Sequence, residues 1–271
     1  MKTKIVRKVL MCRPKYFSVD YSINPWMVKG SADGQKALSQ WNQLVKVYKR
    51  LSIEVEIIDQ VKGVPDMVFA TDQGIFYNNS IVVSNFKYPE RQKERDFYKK
   101  WFEDKNFTFF FLPEDITFEG SGESLFINNK IFIGVGFRTN IRACKFIEKF
   151  LGIEVVPISL KDPRFFHLDT ALFPLNDRIA FYYPRAFTKK SLEALKANIP
   201  LLIPFEDFEV ENFAANSITT DHHVVMQSGI PTFKDKVESL GYRSIEVDLR
   251  EFMKAGGGAH CLTAILEEEV V

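Results

Sequence analysis

The chain has 271 residues, 46% of them hydrophobic, which is enough to build a sizeable core. Its 36 Lys and Arg residues nearly balance its 35 Asp and Glu residues, which argues against a nucleic-acid or polyanion partner. No stretch approaches the roughly 18 apolar residues of a membrane-spanning helix, and the basic N-terminal stretch lacks the apolar run of a signal peptide. We therefore expect a cytoplasmic protein with no membrane partner.

The three cysteines, Cys12, Cys144 and Cys261, are odd in number and widely separated, and no CxxC pair is present. This spacing argues against structural disulfides and against a zinc site, so we predict no metal and no cofactor. Cys12 in a strand and Cys144 on an apolar helix face are predicted to be packing residues. Cys261 differs because three glycines, at 256–258, come shortly before it and allow the backbone to approach a ligand closely.

Four β-hairpins are predicted along the chain, after an opening helix and strand. The opening helix is GQKALSQWNQLVKVYKRL and the opening strand is IEVEIID. Each hairpin has apolar and β-branched runs on both sides of a turn that contains Asn or Asp. In chain order the hairpins are MVFATDQGIFYNNSIVVSNF, GESLFINNKIFIGVGF, LDTALFPLNDRIAFYYP and NSITTDHHVVMQSG.

A helix and a third strand are predicted after each hairpin. The helices are RQKERDFYKKWFED, TNIRACKFIEKFLG, TKKSLEALKAN and TFKDKVESLG, and the strands are FTFFFLP, IEVVPIS, PLLIPF and YRSIEVDL. The hairpin turns centre near Asn78, Asn128, Asn176 and His222, so successive units are offset by 50, 48 and 46 residues. A period in this range is typical of a repeat architecture.

A fifth unit has no hairpin of its own, because only the opening helix and strand precede the first one. We predict that the chain ends supply it, with HCLTAILEE paired to KIVRKVLMC, since this closure removes exposed strand edges. The sequence thus predicts an α/β fold of five similar ββαβ modules around a central axis, with one module closed by the two termini. We predict a single catalytic domain over residues 1–271.

The first strand of each hairpin would approach the axis of such a ring, so its polar residues should converge. In chain order they are Asp66, Asp72, Glu119, Glu123, His167, Asp169, Asn216 and Cys261. Taken alone, His167 is more typical of a structural hydrogen bond and Cys261 of a small buried hydrophobe. Their corresponding places in the repeat favour a shared site with a base, a nucleophile and several carboxylates.

Three other polar motifs are assigned no chemistry. His222 and His223 lie in a predicted tight turn, where we expect them to be exposed. On a strand His260 would point to the face opposite Cys261, so His167 is the better base. The stretch FEGSGESLF lacks a following Lys-Ser/Thr and its acids would repel phosphate, which excludes a phosphate loop.

The segments taken together resemble the guanidino-group-modifying superfamily, which includes arginine deiminases, dimethylarginine dimethylaminohydrolases, arginine dihydrolases and amidinotransferases. The resemblance runs over essentially the whole chain. Its marked segments are MCRPKYFSVDYSINPWM, VPDMVFATDQG, FEGSGESLF, GFRTN, FHLDT and KAGGGAHCLT. It implies a five-bladed α/β propeller, in agreement with the fivefold repeat, and a small-molecule guanidino substrate.

The resemblance also implies the site residues. Cys261 resembles the nucleophile, His167 the general acid/base, and Glu119 the carboxylate that works with the histidine. Because EGSGE is one residue longer than the EGGD form of the superfamily, Glu123 competes with Glu119 for that role. The substrate-binding residues implied are Asp72 and Asp169 at the guanidinium nitrogens, Arg91 and Arg138 at the substrate's carboxylate end, Asp66 near the substrate, and Asn24 at the α-amino-acid end.

The chemistry fits these residue types. Paired carboxylates recognise a planar, cationic guanidinium bidentately, and the cation favours thiolate over thiol in a neighbouring cysteine. Attack by the Cys261 thiolate, with His167 protonating the departing amine, leaves a covalent amidino-thioester that water then hydrolyses. The expected products are citrulline with ammonia or a methylamine.

Three alternatives remain open from the sequence. The arginine dihydrolase branch, which shares INPWM and the KAGG-x-x-CLT ending, carries Asn where this chain has Asp72. An anionic side chain suits a cationic guanidinium better than a neutral ureido group, so we favour one hydrolysis that stops at citrulline. An amidinotransferase would keep every catalytic residue and replace water with an amine. A non-enzymatic binding protein on the same propeller, such as the ribosome anti-association factor, is disfavoured by the retained Cys, His and acids.

Overall fold

The computed structural model describes residues 4–270, which form five three-stranded sheets joined by helices. The strands are β1 (Lys4–Arg13), β2 (Glu54–Asp59), β3 (Gly74–Tyr77), β4 (Ser80–Val83), β5 (Thr108–Phe111), β6 (Ser124–Ile127), β7 (Lys130–Val135), β8 (Val155–Ser159), β9 (Leu172–Pro174), β10 (Ile179–Tyr182), β11 (Leu201–Pro204), β12 (Ile218–Thr220), β13 (His223–Gln227), β14 (Arg243–Val247) and β15 (Ala264–Val270). The helices are α1 (Gly34–Arg50), α2 (Pro89–Gln92), α3 (Glu94–Glu103), α4 (Ala143–Leu151), α5 (Lys189–Asn198), α6 (Asp207–Glu211), α7 (Pro231–Ser239) and α8 (Arg250–Met253).

The chain divides into two compact units. The first unit contains the residues up to Ala70 and those from Phe205 onward, and the second contains Thr71–Pro204. Both units repeat the same local topology, in which two antiparallel strands are followed by a helix and a third strand parallel to the second. The single catalytic domain expected from the sequence stays a prediction.

The first unit holds two sheets, with strand orders β15-β1-β2 and β12-β13-β14. Strand β1 pairs antiparallel with β15 and parallel with β2, so the two chain ends do build one module together, as predicted. Helix α1 begins where the Asp33 side chain accepts hydrogen bonds from two backbone amides of the first turn, an N-cap. Its apolar face buries Trp41, Leu44 and Tyr48 in the core of this unit.

The second unit holds three sheets, with strand orders β3-β4-β5, β6-β7-β8 and β11-β10-β9. Two of its hairpins turn through Asn-Asn pairs, at 78–79 and 128–129, with positive φ at all four residues. Asn tolerates this left-handed conformation, which the two-residue hairpin turn requires. The third hairpin turns at Asn176, whose side-chain oxygen accepts hydrogen bonds from the backbone amides of Arg178 and Ile179.

The predicted helices and third strands are found within a few residues of their expected places. One difference is the predicted helix at 91–104, which the structure divides into α2 and α3 at Lys93. A proline at the first position of α2 starts that helix early. The core of the second unit is formed by β-branched and aromatic residues of its strands together with the apolar face of α4.

Candidate functional site

The polar residues predicted for the first strand of each hairpin lie instead in the turns just before it. This position corrects the prediction. Five of them lie in or beside short 3-10 turns: Asp66 in Pro65–Val68, Asp72 in Ala70–Gln73, Glu119 and Glu123 on either side of Gly120–Gly122, and Asp169 in Leu168–Thr170. The first strands are only three or four residues long in these hairpins, so the polar residues before them lie outside the strands.

His167 is buried and held by Glu119. Its Nε2 lies 2.7 Å from Glu119 Oε2, which also accepts a hydrogen bond of 2.8 Å from the guanidinium of Arg138. The backbone amide of Lys87 donates to the other oxygen of Glu119 at 3.2 Å. Burial raises the pKa of Glu119, but the charges of Arg138 and His167 outweigh it and hold the pKa below its usual range. Glu119 is therefore ionised.

The same carboxylates act on His167. Burial alone lowers the pKa of His167, but the carboxylates of Asp72 and Glu119 outweigh burial, and the pKa is raised above its usual value. Asp72 Oδ1 lies 3.6 Å from the second ring nitrogen, Nδ1. The imidazole is thus held between two acids, an arrangement that favours the protonated ring and suits a general acid.

Glu123 competes with Glu119 on sequence grounds, and the geometry favours Glu119. Within residues 4–270, no hydrogen bond joins Glu123 to the imidazole. Its Oε2 instead accepts a hydrogen bond of 3.2 Å from the backbone amide of Leu168. Its Oε1 is buried without a hydrogen-bond partner. Burial, together with the neighbouring charges of Glu119 and Asp169, raises the pKa of Glu123 to about 8 although His167 opposes the shift. Glu123 is therefore a neutral acid at neutral pH.

Asp72 belongs to a second buried network. Arg91 donates a hydrogen bond of 2.7 Å to Asp72 Oδ2 and two of 2.8 Å to the carboxylate of Glu94. Gln73 also donates to Glu94, at 2.7 Å. Burial raises the pKa of Asp72, while His167 and Arg91 oppose the shift. Glu94 has no place in the sequence-based prediction, and the only signal for it is its i, i+3 spacing from Arg91.

Two glycines make room for these acids. A Cβ at Gly122 would overlap Asp72 Oδ1 and lie 2.9 Å from His167 Nδ1. A Cβ at Gly134 would overlap the carboxylate of Glu123. Glycine therefore leaves room for Asp72 and His167 beside position 122 and for Glu123 beside position 134.

The remaining predicted substrate-binding residues are also buried. Asp169 and Asp66 are 1% and 2% exposed, respectively. Asn24 donates a hydrogen bond of 3.0 Å to the carbonyl of Ala255, and its side-chain oxygen accepts one from the backbone amide of Trp26. In the described contacts Asn24 thus ties together parts of the first unit, and its role at the α-amino-acid end stays a prediction.

Cys261 lies in the turn that precedes β15, not on the strand itself. Its Sγ accepts a hydrogen bond of 3.1 Å from Nδ2 of Asn216, and its backbone amide donates to Oδ1 of Asn216 at 3.0 Å. Because residues 260 and 261 are in a turn, the alternation of strand side chains does not separate them, so that argument against His260 was wrong. Asn216 was named from the sequence without a role.

The other cysteines and histidines have different surroundings. Cys12 and Cys144 are buried, and burial raises the pKa of Cys144 to about 11. His222 is exposed as predicted, but His223 opens β13 and is half-buried, so its predicted exposure was wrong. Between residues 4 and 270, no group of three or more His, Cys, Asp and Glu side chains could hold a metal ion. No helix in the same stretch is both long and apolar enough to cross a membrane.

Comparison with known proteins identifies relatives along nearly the whole chain. Residues 13–267 match the family model described as "N,N dimethylarginine dimethylhydrolase, eukaryotic". The bifunctional arginine dihydrolase/ornithine cyclodeaminase ArgZ of Synechocystis is 37% identical over 97% of this chain, which spans 38% of the length of that relative. The N(G),N(G)-dimethylarginine dimethylaminohydrolase of Mycobacterium tuberculosis is 35% identical, with 97% of this chain and 86% of the relative covered.

Solved structures agree with these relatives. Two crystal structures of the N-terminal domain of ArgZ, from cyanobacteria, have a TM-score of 0.93 and 37% identity, and cover 96% of this chain and 97% of theirs. One is a Cys-to-Ser variant bound to substrate, and the other carries a covalently bound reaction intermediate. The predicted fold class, the five-bladed α/β propeller, and the resemblance to the guanidino-group-modifying superfamily are thereby confirmed.

Proposed function

Because this chain belongs to the dimethylarginine dimethylhydrolase family, we propose that it is a cysteine-dependent guanidino hydrolase. Its substrate is arginine or an N-methylated arginine, and its products are citrulline and ammonia or a methylamine. The observation that carries the proposal is the buried His167 held by the ionised Glu119 at 2.7 Å. A protonated imidazole fixed in this way is suited to protonate the amine that leaves a guanidinium carbon.

The reaction runs in two halves. In the first, the thiolate of Cys261 attacks the guanidinium carbon and a C–S bond forms, while His167 gives its proton to the departing nitrogen and the C–N bond breaks. The product of this half is an amidino-thioester on Cys261. In the second, the neutral imidazole takes a proton from water as the water oxygen attacks the same carbon. The C–S bond then breaks to restore the thiolate, and the hydroxyl proton of the adduct passes to solvent to leave citrulline. The covalent intermediate of ArgZ supports this course by analogy.

Carboxylates are proposed to recognise the cationic group. Asp72 and Asp169 accept hydrogen bonds from the guanidinium nitrogens, and Asp66 lies near the substrate, since planar donors favour bidentate carboxylate partners. Arg91 and Arg138 are proposed to hold the substrate's carboxylate end. Their hydrogen bonds to acids of the protein give them a second role. These bonds orient the guanidinium groups and oppose the rise that burial causes in the pKa of Asp72 and Glu119.

A single hydrolysis is favoured over two. A dihydrolase must bind citrulline, whose ureido group is neutral, whereas Asp72 offers an acidic side chain fixed by Arg91 at 2.7 Å. An ionised carboxylate binds a cationic group in preference to a neutral one, whereas the amide of an Asn has no such preference. Replacing Asp72→Asn is expected to lower the rate with arginine and to increase the fraction of ornithine among the products. Quantifying citrulline and ornithine by mass spectrometry checks this expectation.

Product identification by mass spectrometry is the main test. The protein is incubated separately with arginine, monomethylarginine, dimethylarginine and citrulline, with Cys261→Ser as the matched control. Citrulline from one or more of the first three supports the proposal, and the substrate used most efficiently assigns the arginine derivative. Ornithine from citrulline would instead identify a dihydrolase.

Two further alternatives are separated in the same experiment. An amidinotransferase uses the same nucleophile and acid, so parallel reactions contain glycine or ornithine as an amine acceptor. Product that appears only with the amine would identify the protein as an amidinotransferase and contradict the hydrolase assignment. Binding of arginine, with no product formed from any of the four compounds, would favour a non-enzymatic binding protein.

A further inference from the structure

Asn216 is placed by a tightly bonded turn that follows α6. The backbone amide of Asn216 donates to the carbonyl of Phe213 at 3.0 Å, and Ser217 Oγ donates to the carbonyl of Ala214 at 2.8 Å. Phe213 has a φ of 60°, a left-handed conformation that is rare for a bulky residue. Such a conformation persists only where the surroundings enforce it, and it often marks a functional turn. Asn216 is 1% exposed.

The polar groups of Asn216 are directed at the segment that carries Cys261. Its Oδ1 accepts hydrogen bonds from the backbone amides of Gly258 at 2.8 Å and Cys261 at 3.0 Å. Its backbone carbonyl accepts from the amide of His260 at 3.1 Å. Its Nδ2 donates to the sulfur of Cys261 at 3.1 Å. One residue thus fixes both the backbone of this turn and the thiol.

The orientation of the side-chain amide follows from these partners. Backbone amides can only donate, so the atom that faces two of them must be the oxygen, and the N–H of Asn216 must face the sulfur. A donor aimed at sulfur stabilises the anion more than the neutral thiol, because charge-assisted hydrogen bonds are the stronger ones. The arrangement therefore favours the thiolate of Cys261.

The glycines before Cys261 have a physical reason in the same contacts. A Cβ at Gly258 would lie 3.1 Å from Oδ1 and 3.3 Å from Cβ of Asn216. A Cβ at Gly257 would lie 2.5 Å from the ring of Phe69 and 2.9 Å from Cβ of Cys261. The glycine run therefore lets the turn pack directly against Asn216 and Phe69, beyond serving as a flexible loop.

We propose that Asn216 is the positioning residue of the nucleophile, which holds the turn at 258–261 and stabilises the Cys261 thiolate through its side-chain N–H. The use of that thiolate in attack on a guanidinium rests on the proposed function. The hydrogen bond and its effect on thiolate formation do not.

The test uses two exchanges. Asn216→Ser removes the donor to sulfur without adding charge, and Asn216→Asp removes it while keeping an oxygen for the two backbone amides and adding a carboxylate. Thiolate formation is followed by its ultraviolet absorbance against pH, as the difference between each protein and the same protein with Cys261→Ser. We expect the midpoint to move to higher pH by about one to two pH units in Asn216→Ser, as for the loss of a hydrogen bond to a charged group, and by more in Asn216→Asp, whose carboxylate also repels the thiolate. The matched control is Asn176→Asp, whose oxygen likewise accepts from two backbone amides, and this exchange is expected to leave the midpoint unchanged.

Outcomes of this test are independent of turnover, since no substrate is present. If the midpoint shifts to higher pH but the protein hydrolyses no guanidino compound, this inference stands and the proposed function is wrong. An unchanged midpoint in a folded Asn216→Ser variant, including a shift seen in Asn216→Asp alone, would overturn the inference. Unfolding of both, with Asn176→Asp intact, would assign Asn216 a purely structural role and also overturn it.

Discussion

Cys261 in the first unit and His167 in the second are held by opposite kinds of surroundings. Cys261 is hydrogen-bonded twice to one neutral side-chain amide, that of Asn216. Around His167 the contacts come from charged groups, with Glu119 at 2.7 Å and Asp72 at 3.6 Å from the ring. Both side chains are nevertheless buried to the same degree, at 3% and 1% exposure.

The difference matches what each group must do in the proposed reaction. A nucleophile that meets a cationic substrate can obtain its electrostatic stabilisation from that substrate, so neutral donors suffice before binding. An acid that must be protonated before the reaction begins needs fixed negative charge in the protein. The neutral region, Cys261 with Asn216, thus depends on the substrate for a balancing charge. The charged region, His167 with Glu119 and Asp72, contains its balancing charges within the protein.

The largest expected effect comes from the neutral region. Cys261→Ser removes the nucleophile and should lower kcat by at least about 10³-fold, because a hydroxyl with no adjacent base is a poor nucleophile. Stability should change little, since Ser keeps the backbone hydrogen bond to Asn216. Steady-state kinetics and a thermal melt measure both quantities. Cys144→Ala, a buried thiol elsewhere, serves as the control and should retain turnover; an active Cys261→Ser protein would contradict the covalent mechanism.

In the charged region, an exchange at Glu119 should change the pH dependence of kcat. Glu119→Gln removes a carboxylate that raises the pKa of His167, so the imidazole becomes neutral at lower pH than before. The acid form is then lost as pH rises, and the high-pH limb of the kcat profile should move to lower pH. At neutral pH we expect a loss on the order of 10²-fold. A uniform loss at every pH, with no movement of that limb, would contradict this role for Glu119.

A smaller loss is expected from crowding the charged region. Gly122→Ala places a methyl group against Asp72 and His167, and a displacement of the imidazole should lower kcat by about 10- to 100-fold. Gly152→Ala is the matched control, because Gly152 ends α4 with a φ of 68° and has no atom near its Cβ position. The control should lower stability by about 1 kcal/mol without affecting kcat. Equal kinetic effects from both exchanges would show that Gly122 has no special role.

Much of the fold could be predicted because its signals are local. The Asn-Asn turns at 78–79 and 128–129 and the apolar runs around them specify hairpins, and their spacing specifies the repeat. The pairing of β1 with β15 could also be inferred, since the incomplete fifth unit required it. The 3-10 turns could not, because three or four residues without periodicity carry no pattern that sets them apart from strand ends.

The candidate site could be predicted only as a set of residue types. His167, Glu119 and Cys261 are predicted as site residues from their places in the repeat and from the family resemblance. The choice between Glu119 and Glu123 depends on which carboxylate reaches the imidazole, and the one-residue difference in EGSGE does not encode that distance. Glu94 and the hydrogen bonds of Asn216 are contacts set by packing, so they appear only in three dimensions.

The smallest kinetic effect is expected for Glu123→Gln, which mimics the neutral acid and keeps an oxygen for the amide of Leu168. At neutral pH kcat should remain close to wild type, whereas Glu123→Gln should be the more stable protein, because its side chain does not ionise on unfolding. The unfolding free energies of the two proteins should be similar near pH 4 and diverge as pH rises. The pKa of Glu123 is raised to about 8 by burial, so between its unfolded pKa and 8 the folded state binds more protons than the unfolded state, and stability falls as pH rises.

This linkage predicts a slope. The unfolding free energy of wild type, minus that of Glu123→Gln, should fall by about 1.4 kcal/mol per pH unit between roughly pH 5 and 8 and level off above. Urea unfolding at several pH values measures the difference, and subtraction removes the groups that titrate identically in both proteins. Glu103→Gln, an exposed acid at the end of α3, is the control and gives the effect of the same exchange at the protein surface. A flat difference for Glu123→Gln would mean that Glu123 is ionised in the folded protein, and the charged region around His167 would then hold one more negative charge than its geometry indicates.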